Sequence, residues 1–127
     1  MPRTAMFAVT RFRIPEADSG QFLRQAREAL AALAERPGWR NGQVGRALDD
    51  PTLWLLTSEW DDVGSYRRAL SSYDVKVAAV PLLSQAIDEP TAYEVLTTTD
   101  ATAHAADAGT VGVGEAAAPA IRTDLDR

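Results

Sequence analysis

The sequence predicts an α+β domain built on one four-stranded antiparallel sheet, and three observations carry that prediction. The first is the run from Leu53 to Trp60, a strand apolar on both sides: Leu53 and Leu55 face one way, Trp54, Leu56 and Trp60 the other. The second is a stripe of Phe22, Leu23, Ala26, Leu30 and Leu33 at helical spacing. The third is the order of the segments: strand, helix, strand, strand, helix, strand. A chain of 127 residues has enough helix to cover only one face of such a sheet. The second apolar face is therefore expected to meet a partner subunit, a ligand or both.

Taken in order, Ala5 to Ile14 reads as the first strand, with Phe7 and Val9 on one face and Phe12 and Ile14 on the other, ended by Pro15. Asp18 followed by Gln21 has the form of a capping box, so residues 19 to 35 read as an amphipathic helix, stopped by Pro37 and Gly38. Trp39 to Leu48 and Thr52 to Trp60 read as a hairpin turned by Asp49, Asp50 and Pro51. Asp61 and Asp62 suit a helix start, where carboxylates meet free amides and the positive dipole end, so a second helix is expected from Val63 to Leu70. A further helical stretch, Asp74 to Val80, is broken by Pro81, and Thr91 to Thr97 reads as the fourth strand.

This βαββαβ order is the ferredoxin-like arrangement. Its uncovered sheet face predicts a homodimer joined sheet to sheet about a two-fold axis, the dimeric α+β barrel. The domain is expected to occupy residues 1–97. Residues 98–127, rich in Ala and Gly, form a tail expected either to be mobile or to dock on the partner subunit through Val111, Val113 and Ile121.

Composition excludes several classes. The net charge of −5 and the scarcity of clustered Lys and Arg argue against nucleic acid. No apolar run approaches the roughly 20 residues of a membrane span, and Met1 to Thr4 lack a secretory pattern, so a cytoplasmic protein is expected. Without Cys there is no disulfide, thiolate nucleophile or Cys-type metal site. The single His104 has no second ligand near it for a metal site, and no Ser-His-Asp set is credible around it. The glycines at 109, 112 and 114 lack the Lys-Ser/Thr ending of a phosphate loop.

Pro37-Gly38-Trp39, Glu59-Trp60, Tyr66 on the following helix and Pro81-Leu82-Leu83 before the last strand, together with the element order, resemble the antibiotic biosynthesis monooxygenase family over residues 5 to 97. The resemblance implies oxidation of a hydroxylated, polyketide-like aromatic compound by molecular oxygen, with no flavin, haem or metal cofactor. It implies catalytic roles for Trp60 and Tyr66. It also marks departures. Members with this chemistry carry an Asn four residues before the Trp, where this chain has Leu56, and the Arg expected on the later helix falls near Val80, with Lys76 as its nearest substitute. The haem-degrading branch of the fold needs a strand-one Asn and a His after the Trp; Arg11 or Arg13 occupies the first region, and no His precedes His104.

The candidate substrate-binding residues are Trp54 and Leu56, sharing a face with Trp60, together with Tyr73 and Arg11. Trp54 and Trp60 offer flat walls, and the Trp60 indole N–H a donor. Tyr66 and Tyr73 offer hydroxyls to a developing oxyanion. Arg11 on an apolar face needs a carboxylate, with Glu59 or Glu94 as candidates, or an anionic ligand. Arg67 and Arg68 read as solvated helix charges, and Asn41 as a replacement amide donor or a bulge residue. Two alternatives stand beside the oxygenase: a non-catalytic aromatic-binding or assembly module, and a non-redox polyketide-tailoring enzyme with Glu59 as its base.

Overall fold

The computed structural model describes residues 4–99. Four strands, β1 (Met6–Arg13), β2 (Trp39–Ala47), β3 (Asp50–Trp60) and β4 (Ala92–Glu94), form one antiparallel sheet in the order β2-β3-β1-β4. Four helices accompany it: α1 (Ser19–Ala34), α2 (Val63–Ser71), α3 (Tyr73–Ala78) and α4 (Val80–Leu83). This is the ferredoxin-like α+β order expected from the segment pattern.

The register assigns every strand residue to a face. Met6, Ala8, Thr10 and Phe12 of β1 lie opposite Trp60, Ser58, Leu56 and Trp54 of β3, and all eight are buried beneath the helices. Met6, Phe12, Trp54, Leu56 and Trp60 pack with Phe22, Ala26, Ala29 and Leu33 of α1 and with Ala69, Val75, Ala79 and Leu82. Each large side chain buried in this layer contributes about 1.5–3 kcal/mol of transfer free energy. Phe7, Val9 and Arg11 of β1 and Leu53, Leu55 and Glu59 of β3 carry the opposite parity and face away from the helices, as the two-sided third strand requires. On that face Phe7 stacks on Tyr93 with ring centroids 5.6 Å apart.

Local chemistry moves several boundaries. A 3₁₀ turn, Glu16–Asp18, precedes α1 and leaves Asp18 at φ −99°, ψ 6°, so its side chain makes no capping hydrogen bond. The expected capping box therefore does not form, because a cap residue bonds the helix amides from an extended backbone. Asp50 belongs to β3 rather than to the turn: its Oδ1 accepts from Thr52 N–H at 3.0 Å and from Thr52 Oγ1 at 2.7 Å, which tightens the connection to Leu48 and Asp49. Pro81 does not simply end a helix. It sits in the first turn of α4, where its missing N–H is not needed, so the expected 74–80 helix is α3 followed by a separate short turn. The fourth strand is shorter than expected, though Val9 N–H to Thr91 O at 2.7 Å and Val95 N–H to Ala5 O at 2.9 Å continue its bonding at both ends.

The compact unit ends at Val95. Of the unit that begins at Leu96, only residues 96–99 are described; they are exposed and irregular. The expected tail, with His104, Val111, Val113, Ile121 and the three late glycines, lies outside the described residues apart from Thr98 and Thr99.

Candidate functional site

Trp60 ends β3 with no exposed surface, and its indole Nε1 donates to Ser58 Oγ at 2.9 Å. Ser58 lies two residues earlier on the same face, so strand geometry alone brings the hydroxyl to the indole. Trp39 meets Trp60 edge-on at 5.4 Å between centroids, and Tyr66 lies at 5.8 Å from it on the helix side. Gly42 makes room for this cluster: a Cβ there would run into the Trp39 ring and Thr57 O.

Tyr66 is held by the start of α2, where the Asp62 side chain accepts from Ser65 N–H at 2.7 Å and caps the helix. Gly38, at φ +90°, lets the chain pass close to Ser65; a Cβ at Gly38 would strike the Ser65 side chain. Burial pushes the Tyr66 phenol pKa up, so near neutrality the hydroxyl is a donor. Leu56 completes the layer as a core residue.

A second group forms at the other end of β3. Trp54 packs edge-on to Phe22 at 5.1 Å, the Arg46 guanidinium lies 5.1 Å from its ring centre, and its Nε1 is buried with no hydrogen-bond partner among the described residues. Trp54 and Arg11 line the same small cavity of about 190 Å³, with Leu53 and Leu55. Arg11 pairs with neither Glu59 nor Glu94. Its Nε and Nη2 bond both carboxylate oxygens of Glu89 at 2.7 Å, a fork that the loop before β4 supplies. That pairing holds the Glu89 carboxyl below its usual range.

Five residues weighed from the sequence stand apart from the Trp60–Tyr66 pair. Tyr73, at the start of α3, is 79% exposed. Lys76 is exposed in the last turn of α3. Glu59 and its β2 partner Asn41 are exposed and face away from the helices, so neither a carboxylate base nor a replacement amide reaches Trp60 from them. Val80 begins α4 and is partly exposed. Sequence reasoning missed Ser58, whose i, i+2 spacing to Trp60 was a readable signal, and Glu89, which nothing local links to Arg11. It also missed a cavity of about 400 Å³ lined by Met6, Val63, Arg67, Ala92 and Tyr93, with Thr4 and Glu94 at its polar margin. Met6 is the register partner of Trp60, so one wall of this cavity is the strand neighbour of the buried indole.

Residues 5–80 match the antibiotic biosynthesis monooxygenase family, and they include Trp39, Trp60 and Tyr66. The chain belongs to that family.

Solved structures agree in fold. SnoaB, a cofactor-independent oxygenase from Streptomyces nogalater, is 22% identical, with a TM-score of 0.62 over 75% of this chain and 96% of its own. A family protein from Deinococcus radiodurans, described as a monooxygenase by assignment, is 20% identical, with a TM-score of 0.63 over 75% and 96%. A conserved protein from Methanosarcina mazei Go1 is 20% identical, with a TM-score of 0.61 over 76% and 96%. No curated protein matches the sequence significantly. Among the described residues no three His, Cys, Asp or Glu side chains group as metal ligands, and no helix is long and apolar enough to cross a membrane.

Proposed function

We propose that this family member is a cofactor-independent monooxygenase acting on a hydroxylated, polyketide-like aromatic compound. The observation that carries the reading is the packed pair Trp60 and Tyr66, at the two positions that the family resemblance marks as catalytic, near a 400 Å³ cavity lined by Met6, Val63, Ala92 and Tyr93 together with Thr4, Arg67 and Glu94. In this reading the flat substrate lies along Met6, Val63 and Tyr93. It loses a proton from an activated ring CH₂, and the resulting carbanion reduces molecular oxygen. The peroxide formed at that carbon then loses water, so that CH₂ and O₂ become C=O and H₂O. The Tyr66 hydroxyl, kept protonated by burial, donates to the developing oxyanion. Trp60 is fully buried and already bonded to Ser58, so in this reading its role is to position Tyr66 and Met6, which pack against it.

With Leu56 and Val80 at the Asn and Arg positions, the reading needs a substrate whose own acidity supplies the carbanion. The same departures favour the second reading, an aromatic-binding module without turnover. Oxygen uptake by the purified, metal-stripped protein with anthrones and dihydroxynaphthalenes separates them. Uptake that scales with protein and falls in Trp60→Phe and Tyr66→Phe supports the oxygenase. Quenching of Trp fluorescence by the same compounds without uptake supports the binding module.

The face bearing Phe7, Val9, Leu53 and Leu55 is proposed as the seam of a sheet-to-sheet homodimer. Residues 1–97 are proposed as the folding domain. A chain truncated after residue 97 should remain folded and dimeric on sizing, and Leu55→Arg should yield monomers. A monomeric truncated chain would assign the seam to residues 98–127.

A further inference from the structure

We infer that the 400 Å³ cavity takes an aromatic molecule polarised from end to end, with an anionic oxygen held by Arg67 on one side and a hydroxyl donor received by Glu94 on the other. This rests on the aromatic-substrate reading above and adds to it the chemistry of the two ends.

Helix geometry assigns Arg67 to this cavity. Val63 and Arg67 stand one turn apart on α2, hence on one face, and both line the cavity wall. Arg67 also borders a hollow on the side of Ser71 and Ser72. Helical side chains lean toward the N-terminus of their helix, so the long Arg67 side chain runs over the turn that begins at Val63 and away from Ser71. Arg68 obeys the same rule on a different face: its guanidinium reaches back to Ser65 and Gly64, and it does not line the cavity.

Strand β4 supplies the opposite wall. Glu94 is the register partner of Met6, whose side chain is buried beneath the helices, so Glu94 leaves the sheet on the side of α2. Met6, Val63 and Ala92 form the apolar surface between the two charges. Arg11, Arg13 and Arg40 close ion pairs at 2.7–2.8 Å with Glu89, Asp50 and Asp61. Among the described residues Arg67 and Glu94 close no such pair, with each other or with any third group, although they share a cavity. An unpaired surface charge is ordinary by itself, because exposed pairs contribute little. Here a cation and an anion open on one space with apolar surface between them, which is room for a flat ligand that answers both.

The donor inventory fixes which end is which. A guanidinium only donates, so it selects an oxygen that carries charge, a carboxylate or a phenolate. A carboxylate only accepts, so it selects an O–H. A cation beside a phenolate also favours ionisation of the phenol, which suits a chain that has Val80 where the family Arg is expected and whose substrate must supply its own acidity.

Isothermal titration of the full chain at pH 7.5 and constant ionic strength tests the inference with three probes: 6-hydroxy-2-naphthoate, its methyl ester and 2-naphthoate. The hydroxy acid should bind saturably and about tenfold or more tighter than the ester. Arg67→Gln should remove that preference and leave the ester unchanged, whereas Arg68→Gln, one residue away and off the cavity, should preserve it. Glu94→Ala should remove the preference for the hydroxy acid over 2-naphthoate. Equal binding of acid and ester would overturn the polarity and leave the aromatic reading standing. Equal losses in Arg67→Gln and Arg68→Gln would also overturn it, because they would report net charge and no placed group. Absence of saturable binding by all three probes would overturn it together with the aromatic reading of the cavity. Oxygen uptake is not the readout, so failure of the oxygenase chemistry alone leaves the result intact.

Discussion

The Trp60 indole donates to Ser58 Oγ inside a fully buried layer, so the donor expected to face substrate is already held by a neighbour two residues away. Ser58→Ala should leave that indole N–H without an acceptor and lower stability by about 1–3 kcal/mol, measured by chemical unfolding. Trp60→Phe removes donor and ring area together, so a larger loss than in Ser58→Ala is expected. A Ser58→Ala protein as stable as the parent would mean that the hydroxyl contributes nothing to the indole.

Tyr66→Phe keeps the ring against Trp60 and deletes the hydroxyl. If Tyr66 donates to the oxyanion, turnover should fall by roughly 100-fold while the unfolding midpoint moves little. Burial raises the phenol pKa above its ordinary value of 10.0, so the neutral donor persists into alkaline solution. The parent's rate should therefore show no loss attributable to Tyr66 ionisation below pH 10. A rate that declines well below that pH in the parent but not in Tyr66→Phe would contradict a raised phenol.

Two carboxylates make the fold sensitive to acid. Hydrogen bonds from Thr52 and then Arg13 bring Asp50 to a pKa of about 2, and the Arg11 fork lowers Glu89. Both folded values lie below the unfolded ones, so the stability they contribute is complete above about pH 4 to 5 and is lost as pH falls through the folded values. Asp50→Asn and Glu89→Gln should each flatten the decline in unfolding midpoint between pH 5 and 2. The stability each substitution removes at neutral pH should match the part of the acid-induced decline it abolishes, and both should be modest because both pairs are partly solvated.

Gly38→Ala should destabilise the fold by about 1–3 kcal/mol, because the residue sits at φ +90° and its new methyl would meet the Ser65 side chain at the start of α2. Combining it with Ser65→Gly relieves the clash but not the backbone strain, so the double variant should recover only part of the loss. Full recovery would mean that crowding against Ser65, and not φ, sets the requirement for glycine.

The faces of the strands, the buried stripe of α1 and the two-sided β3 were all legible in the chain, because strand and helix periods are local properties of the backbone. The resemblance carried by Trp39, Trp60 and Tyr66 was legible for the same reason: these anchors lie at fixed distances from strand and helix ends. Boundaries were less legible where a side chain competed with the expected geometry, as Asp50 does by bonding Thr52, or where a turn intervened, as Glu16–Asp18 does before α1.

Partner choice belonged to the tertiary structure alone. Nothing near Arg11 in the sequence points to Glu89; the loop before β4 brings the two together. Alternation told that Glu59 and Trp60 face opposite ways, but only the sheet order decided that the helices cover Trp60 and leave Glu59 outside. Periodicity sorts a strand into two faces, whereas which face is buried, and which charges meet across it, depends on contacts between segments far apart in the chain.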